Sequence, residues 1–181
     1  MTRPAVLASP WGRRYNPTPR RASARPPQGA ALSTETVEIE NRVRRILLES
    51  PFAVLTTVDG EGRPHARWMS PIFASGSIKV FHSLAAPRSR KVEHLDKNPN
   101  VSWLFTGPAF DEVVVLHGTA VAETDPLLRA EIWEAMPEKQ RAFILKNDDN
   151  LDFAIIVTEV RSVEYSRPRR GETVPKVLTP T

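Results

Sequence analysis

The chain has 181 residues, enough for one domain with a sizeable core plus tails, and no cysteine. The missing thiols exclude disulfides, iron–sulfur clusters, thiolate zinc sites and a cysteine nucleophile, and fit a cytoplasmic protein. The net charge of +4 comes from the ends, because residues 34–165 hold 15 basic and 20 acidic residues, a net of −5. A nucleic-acid binder concentrates basic charge on its folded part, so nucleic acid is not an expected partner. Nor is a membrane, since no apolar run approaches the roughly 20 residues a spanning helix needs.

Residues 1–32 are rich in Pro, Arg, Ala and Ser and precede the first acid, Glu35. Such a stretch buries too little apolar surface to offset its ordering entropy, and it reads as a disordered basic tail. An acid-poor, Arg- and Ser-rich start is also transit-peptide composition, but six prolines before residue 30 oppose an amphipathic targeting helix. The twin arginine Arg13-Arg14 has no apolar segment after it. An inert tail and a weak polyanion contact both remain open.

The folded part is expected over residues 33–166. Val37, Ile39 or Glu40, Val43, Ile46 and Leu47 recur at helical spacing, and Pro51 ends that helix. Residues 52–58 are apolar and β-branched, and Asp59-Gly60-Glu61-Gly62 signals a hairpin turn into a return strand over 63–73. Ser75-Gly76 turns the chain into a strand over 78–83. Pro87 suits the first position of a helix running to about Asn98. Strands follow over 101–106 and 112–123, the second with Gly118 at its centre, where a bulge or barrel bend is expected. Asp125-Pro126 opens a helix in which Trp133 and Met136 read as core residues, and a second helical piece covers 138–146. The last strand spans 153–165, and 167–181 reads as a flexible tail. Antiparallel hairpins without βαβ alternation predict a mainly β fold, a small closed or split antiparallel barrel with flanking helices.

The stretch from Arg67 to Phe105 carries the chemistry. A phosphate monoester needs positive charge and donors from several directions. The first turn of a helix supplies free N–H groups and a partial positive charge. Ser89, Arg90 and Lys91 add a hydroxyl and two cations there, and Arg67 can add a bidentate contact from a strand. The same spacing is what a solvated basic helix end presents. Among the four histidines, His65, His82, His94 and His117, none has a partner at metal-ligand spacing. His94, beside Glu93 on a helix, reads as solvated. His82, beside Ser83, suits either a cofactor contact or a structural role. The Asp59–Gly62 turn explains the only glycine cluster, and no G-x-S-x-G elbow supports serine hydrolysis.

Five segments in order carry a resemblance. They are Pro64-His65-Ala66-Arg67-Trp68-Met69-Ser70-Pro71, Phe81-His82-Ser83, Ser89-Arg90-Lys91-Val92, Asn98-Pro99-Asn100-Val101 and Val115-Leu116-His117-Gly118-Thr119-Ala120. With Glu131-Ile132-Trp133 and Val163-Glu164-Tyr165, residues 34–165 resemble the pyridoxamine 5′-phosphate oxidase-like FMN-binding split barrels, in their general stress protein branch. The resemblance implies an FMN site at a homodimer interface, with FAD or a deazaflavin as alternative cofactors. It implies that Arg67, Ser89, Arg90 and Lys91 grip the phosphate and that Ser83 meets the ribityl phosphate region. Trp68, Met69 and Ser70 would run along the ring, and His82, beside Ser83 in that site, could hydrogen-bond the cofactor or serve the structure. Trp103 and the strand after Glu112 would come from the second chain.

The chain departs from the oxidases at Ile72, where they have lysine, and at Val113, where they have glutamine. It also lacks their histidine-bearing end, so vitamin B6 oxidation is not expected. The resemblance implies a flavin-dependent oxidoreductase with a small-molecule redox partner. The alternatives are a protein that sequesters flavin and a reductase using deazaflavin or a haem-related substrate.

Overall fold

The computed structural model describes residues 34–74, 76–147, 152–178 and 180. The expected basic tail, 1–32, lies outside them, as does Ser75 of the expected turn. Helix α1 (Thr34–Glu49) leads into strands β1 (Ala53–Val58), β2 (Pro64–Met69) and β3 (Val80–Ala85). Helix α2 (Arg90–Lys97), β4 (Asn100–Thr106) and β5 (Val113–Glu123) follow. Helices α3 (Pro126–Ala135) and α4 (Glu138–Asn147) precede β6 (Ala154–Arg167) and β7 (Glu172–Leu178).

The strands form one antiparallel sheet ordered β2-β1-β4-β5-β6-β3, with β7 also on β6. The long β6 gives one edge to β5 and shares the other between β3, at residues 154–159, and β7, at residues 163–167. Among the described residues the two ends of the sheet are bridged at Ile72 and His82, whose backbones exchange hydrogen bonds of 2.7 and 3.0 Å. The result is a split antiparallel barrel whose seam runs between β2 and β3. That seam brings the exit of β2 beside the strand that leads into α2.

Inside the barrel Leu55, Phe81, Trp103, Phe105, Val114, Leu116, Ile156 and Val163 pack with Val43, Ile46 and Leu47 of α1. Phe81 stacks on Phe73 at 4.8 Å and meets Trp103 edge-on at 5.1 Å. Each such side chain, fully buried, stabilises the fold by roughly 1.5–3 kcal/mol. A second cluster, Ile72, Ile132, Met136 and Ile155, packs α3 against the opposite face. Trp133 packs against that cluster, as its spacing with Met136 suggests.

Several expectations change. Val37 is exposed, because the buried stripe of α1 runs Ile39, Val43, Ile46 and Leu47. Helix α2 starts three residues after Pro87: the Ser89 N–H bonds back to the Ala86 carbonyl in a tight turn, and Ser89 becomes the N-cap. Residues 172–178 are a strand where the sequence suggests a flexible tail. Pro168–Arg170 turns the chain, Gly171 takes a φ of 79°, and the Arg167 guanidinium pairs with Glu172 across the turn. Lys176 then pairs with Glu35 of α1.

Glu112 anchors α1 to the sheet. Its carboxylate accepts the Tyr165 hydroxyl and lies 3.4 Å from both Arg42 Nη1 and Arg45 Nη2. Burial, reinforced by that hydrogen bond and by the charge of Glu112, pushes the Tyr165 phenol up to about 12. Glu112→Ala strands the buried hydroxyl and is expected to cost about 1–3 kcal/mol in urea unfolding. Glu112→Gln keeps an acceptor, loses only half-exposed ion pairs, and is expected to cost under about 1 kcal/mol. The raised phenol also sets a sign. Neutral Tyr165 contributes its full stability below the ordinary value of 10.0 and loses it as pH climbs towards about 12. Tyr165→Phe should flatten that alkaline limb.

Candidate functional site

The site lies at the barrel seam. Along β2, His65, Arg67 and Met69 alternate with the more exposed Pro64, Ala66 and Trp68. Arg67 pairs in register with the buried Leu55, so the first set faces inward. Arg67 Nη1 donates to the Thr57 hydroxyl at 2.8 Å and to the Leu55 carbonyl at 3.4 Å. From across the seam, α2 presents Arg90 and Lys91. Burial and the charge of Arg90 lower the Arg67 pKa, and burial and the charge of Arg67 lower that of Lys91. None of the three forms an ion pair among the described residues. Arg67 is repelled by Arg90 and Lys91, and an anion between them relieves that repulsion.

The opening turn of α2 completes the cluster. The N–H groups of Val92 and Glu93 go to the Ser89 carbonyl, which leaves those of Arg90 and Lys91 free. The Ser89 hydroxyl makes no cap bond, and its Oγ is buried without a partner. Ser83 follows the seam residue His82 on β3, faces the barrel interior, and also has a buried, unpartnered Oγ. A buried hydroxyl without a partner costs about 1–3 kcal/mol, so both fit a site built for a polar ligand.

Two residues beyond Arg67 the surroundings turn apolar. A cavity of about 520 Å³ is lined by Phe52, Trp68, Met69, Ile72, Leu84, Met136 and Ile144, with Ser70, Lys139 and Gln140 as its polar members. The buried Gln140 Oε1 has no partner. The size lies within the usual range for small-molecule sites.

The structure thus brings together Arg67, Ser89, Arg90 and Lys91, and sets Met69, Trp68 and Ser70 around the adjoining cavity. Two expected residues fall elsewhere. His82 lies on the opposite face of β3 from Ser83, as strand alternation requires, and feels the charge of Glu131 on α3. Burial lowers its pKa, and its Nδ1 is buried without a partner. Trp103 is fully buried in the barrel core, so it is not available to the site of a second chain.

His94 is the residue that the spacing misplaces. It is buried, not solvated, and its Nδ1 lies 2.9 Å from the Thr57 hydroxyl that holds Arg67. Thr57 itself carries no motif; its inward place on β1, opposite His65 and diagonal to Arg67, is the signal that could have found it.

The architecture is that of an antiparallel split barrel with flanking helices and a cationic seam. Residues 39–167 match the model of the pyridoxamine 5′-phosphate oxidase family, and the chain belongs to that family. No curated relative matches the chain. Among solved structures, the chain is similar to a Clostridium acetobutylicum protein related to general stress protein 26, at 16% identity and a TM-score of 0.65. That match covers 78% of this chain and 94% of the other. A pyridoxamine 5′-phosphate oxidase-related, FMN-binding protein from Nostoc punctiforme matches at 16% identity and a TM-score of 0.54, covering 78% and 86%. A haem-binding protein from Mycobacterium smegmatis matches at 20% identity and a TM-score of 0.57, covering 75% of this chain and 55% of that one. Among the described residues no helix is long and apolar enough to cross a membrane, and no group of side chains is placed to hold a metal ion.

Proposed function

We propose that the chain binds FMN at the seam, with the phosphate on Arg67, Ser89, Arg90, Lys91 and the free N–H groups of α2, and the ring directed to the cavity beside Met69. The observation that carries this reading is the cluster of three cations, none in an ion pair among the described residues, beside an unpartnered serine at a helix N-terminus. Neutral ligands offer nothing to that cluster, whereas a phosphate dianion satisfies the charges, the hydroxyl and the helix end together. The FMN-binding neighbour supports the choice.

The bound flavin would supply the redox chemistry. The residues of this chain would bind and orient it: Arg67 and Lys91 hold the phosphate, Met69 packs against the ring, and the apolar wall keeps water from it. No side chain at the cavity is placed as a general acid or base beyond Lys139, so the reading is a flavin-dependent oxidoreductase or a flavin carrier. Haem, bound by one neighbour, also places carboxylates on cations. It requires an axial ligand, and of the usual ones the cavity lining offers Met69 and Met136 but no histidine.

A homodimer belongs to the same proposal. Trp68, Val54, Leu104 and Val115 pair in one row across the outer face of four strands, and Trp68 is 69% exposed. An exposed apolar row of this kind marks a protein contact. Trp68→Glu should shift the protein to monomer in light scattering.

The purified protein is expected to carry a yellow chromophore, or to quench added FMN fluorescence with a Kd of about 1–10 μM, in the ordinary range for a pocket of this kind. No quenching at low salt would sink the reading, and a Soret band in the purified protein would replace it with haem.

A further inference from the structure

Behind the cationic cluster lies a buried polar relay that the flavin reading leaves without a role. The Thr57 hydroxyl accepts from Arg67 Nη1 at 2.8 Å and lies 2.9 Å from His94 Nδ1. Thr57 and His94 are both buried, on β1 and on the inward face of α2. A guanidinium only donates, so the Thr57 oxygen is its acceptor. The hydroxyl has one hydrogen, and His94 Nδ1 is the remaining partner within reach. All three groups are satisfied only when Nδ1 accepts, which fixes His94 as the neutral tautomer with its hydrogen on Nε2.

The surroundings favour that form. His94 faces His65 and Arg67 from β2, Asp59 from the β1–β2 turn, and Arg90 from its own helix. From β1 it meets the uncharged Thr57. The other strand packed on α2 is β5, whose titratable groups are His117 and Glu123; His117 lies on the outer face beside Glu164. Burial lowers the His94 pKa most, followed by the charges of His65 and Arg67, with Asp59 opposing them. The His65 ring stands 4.7 Å from that of His94, and its Nε2 lies 2.9 Å from Asp59 Oδ2. The neighbouring His65 is thus held on a carboxylate that also accepts the N–H groups of Glu61 and Arg63, and so is fixed by the turn itself.

We propose that His94, acting through the Thr57 hydroxyl, is a positioning residue that aims the Arg67 guanidinium at the flavin phosphate. The proposal rests on the flavin reading above. Without the relay, Arg67 keeps its charge and only its 3.4 Å contact to the Leu55 carbonyl, which leaves its planar fork free to rotate away from the anion. The relay thus sets how strongly the site prefers a phosphorylated flavin over its dephosphorylated form, while touching neither.

The test compares FMN with riboflavin by fluorescence quenching in the full-length protein. Thr57→Val, which keeps the shape and removes the hydroxyl, is expected to weaken FMN by about tenfold and riboflavin by less than about twofold. His94→Leu should do the same. Thr57→Ser restores the hydroxyl, and His94→Asn presents Oδ1 near the Nδ1 position; both should stay within about threefold of wild type for FMN. In the unliganded protein, the ¹⁵N spectrum should show the His94 hydrogen on Nε2. Thr57→Val and His94→Leu binding FMN as the wild type does, or losing FMN and riboflavin equally, would overturn the positioning role and leave the flavin site standing. A wild-type protein with no preference for FMN over riboflavin would overturn the phosphate site and this inference together.

Discussion

Replacing Arg90 and Lys91 together with alanine is expected to weaken FMN about a hundredfold and to leave riboflavin within about threefold. Hydrogen bonds to charged groups contribute about 1.5–3 kcal/mol each, and two at the low end of that range, as suits the exposed Arg90, account for that loss. The selectivity matters more than the size. Riboflavin shares the ring and the ribityl chain but lacks the phosphate, so it never meets these side chains. A salt titration should agree: the FMN affinity of wild type falls as ionic strength rises, and that of the double variant falls much less. Stability gives a further sign. Burial, and after it the repulsion between Arg67 and its neighbours Arg90 and Lys91, lowers the Arg67 and Lys91 pKa values, and neither Arg90 nor Lys91 forms an ion pair among the described residues. The unliganded double variant should therefore melt no lower than wild type. Equal losses for both flavins, or a large fall in melting temperature, would mean that Arg90 and Lys91 are ordinary helix residues.

How much of this was legible in the sequence differs from residue to residue. Ser89-Arg90-Lys91 could be read because the chemistry depends on a local feature, the start of a helix, and three successive residues supply it. The hairpin at Asp59–Gly62 was equally local: Asp59 caps its own turn, and Gly62 takes a φ of 80°. His94 was illegible because α2 has only eight residues. Two turns give too little periodicity to separate an inward His94 from its exposed neighbour Glu93, and burial there is set by β1, far away in sequence. Strand β7 was missed for a similar reason. Its residues are almost all exposed, so it shows no alternation, and what holds it is the edge of β6 that β3 leaves open. The separation of His82 from Ser83 could have been read. Adjacent residues on a strand face opposite ways, and a motif that names both conceals it.

Gly118→Ala is expected to cost about 3 kcal/mol or more and to lower the melting temperature by roughly 6–12 °C. The sequence marks Gly118 as a bulge, and the pairing of β5 with β6 does shift register between His117 and Gly118. The structural reason is a close approach of backbone to backbone. A Cβ at Gly118 would stand 2.0 Å from the Glu159 carbonyl oxygen and 2.9 Å from its carbon. Backbone in the middle of a paired strand cannot swing aside as a flexible side chain would. Relief therefore requires parting β5 from β6, the pair that joins the β1–β2–β4 side of the barrel to β3. That pair also fixes where β3 lies, and β3 carries Ser83 and leads into α2. The variant should accordingly lose FMN affinity together with stability, and lose riboflavin in proportion. That pattern separates a damaged scaffold from the phosphate-selective loss of the Arg90 and Lys91 variant. A Gly118→Ala protein that melts within about 2 °C of wild type would show that β5 and β6 part at the bulge at little cost, and that this close approach is not what holds the barrel in register.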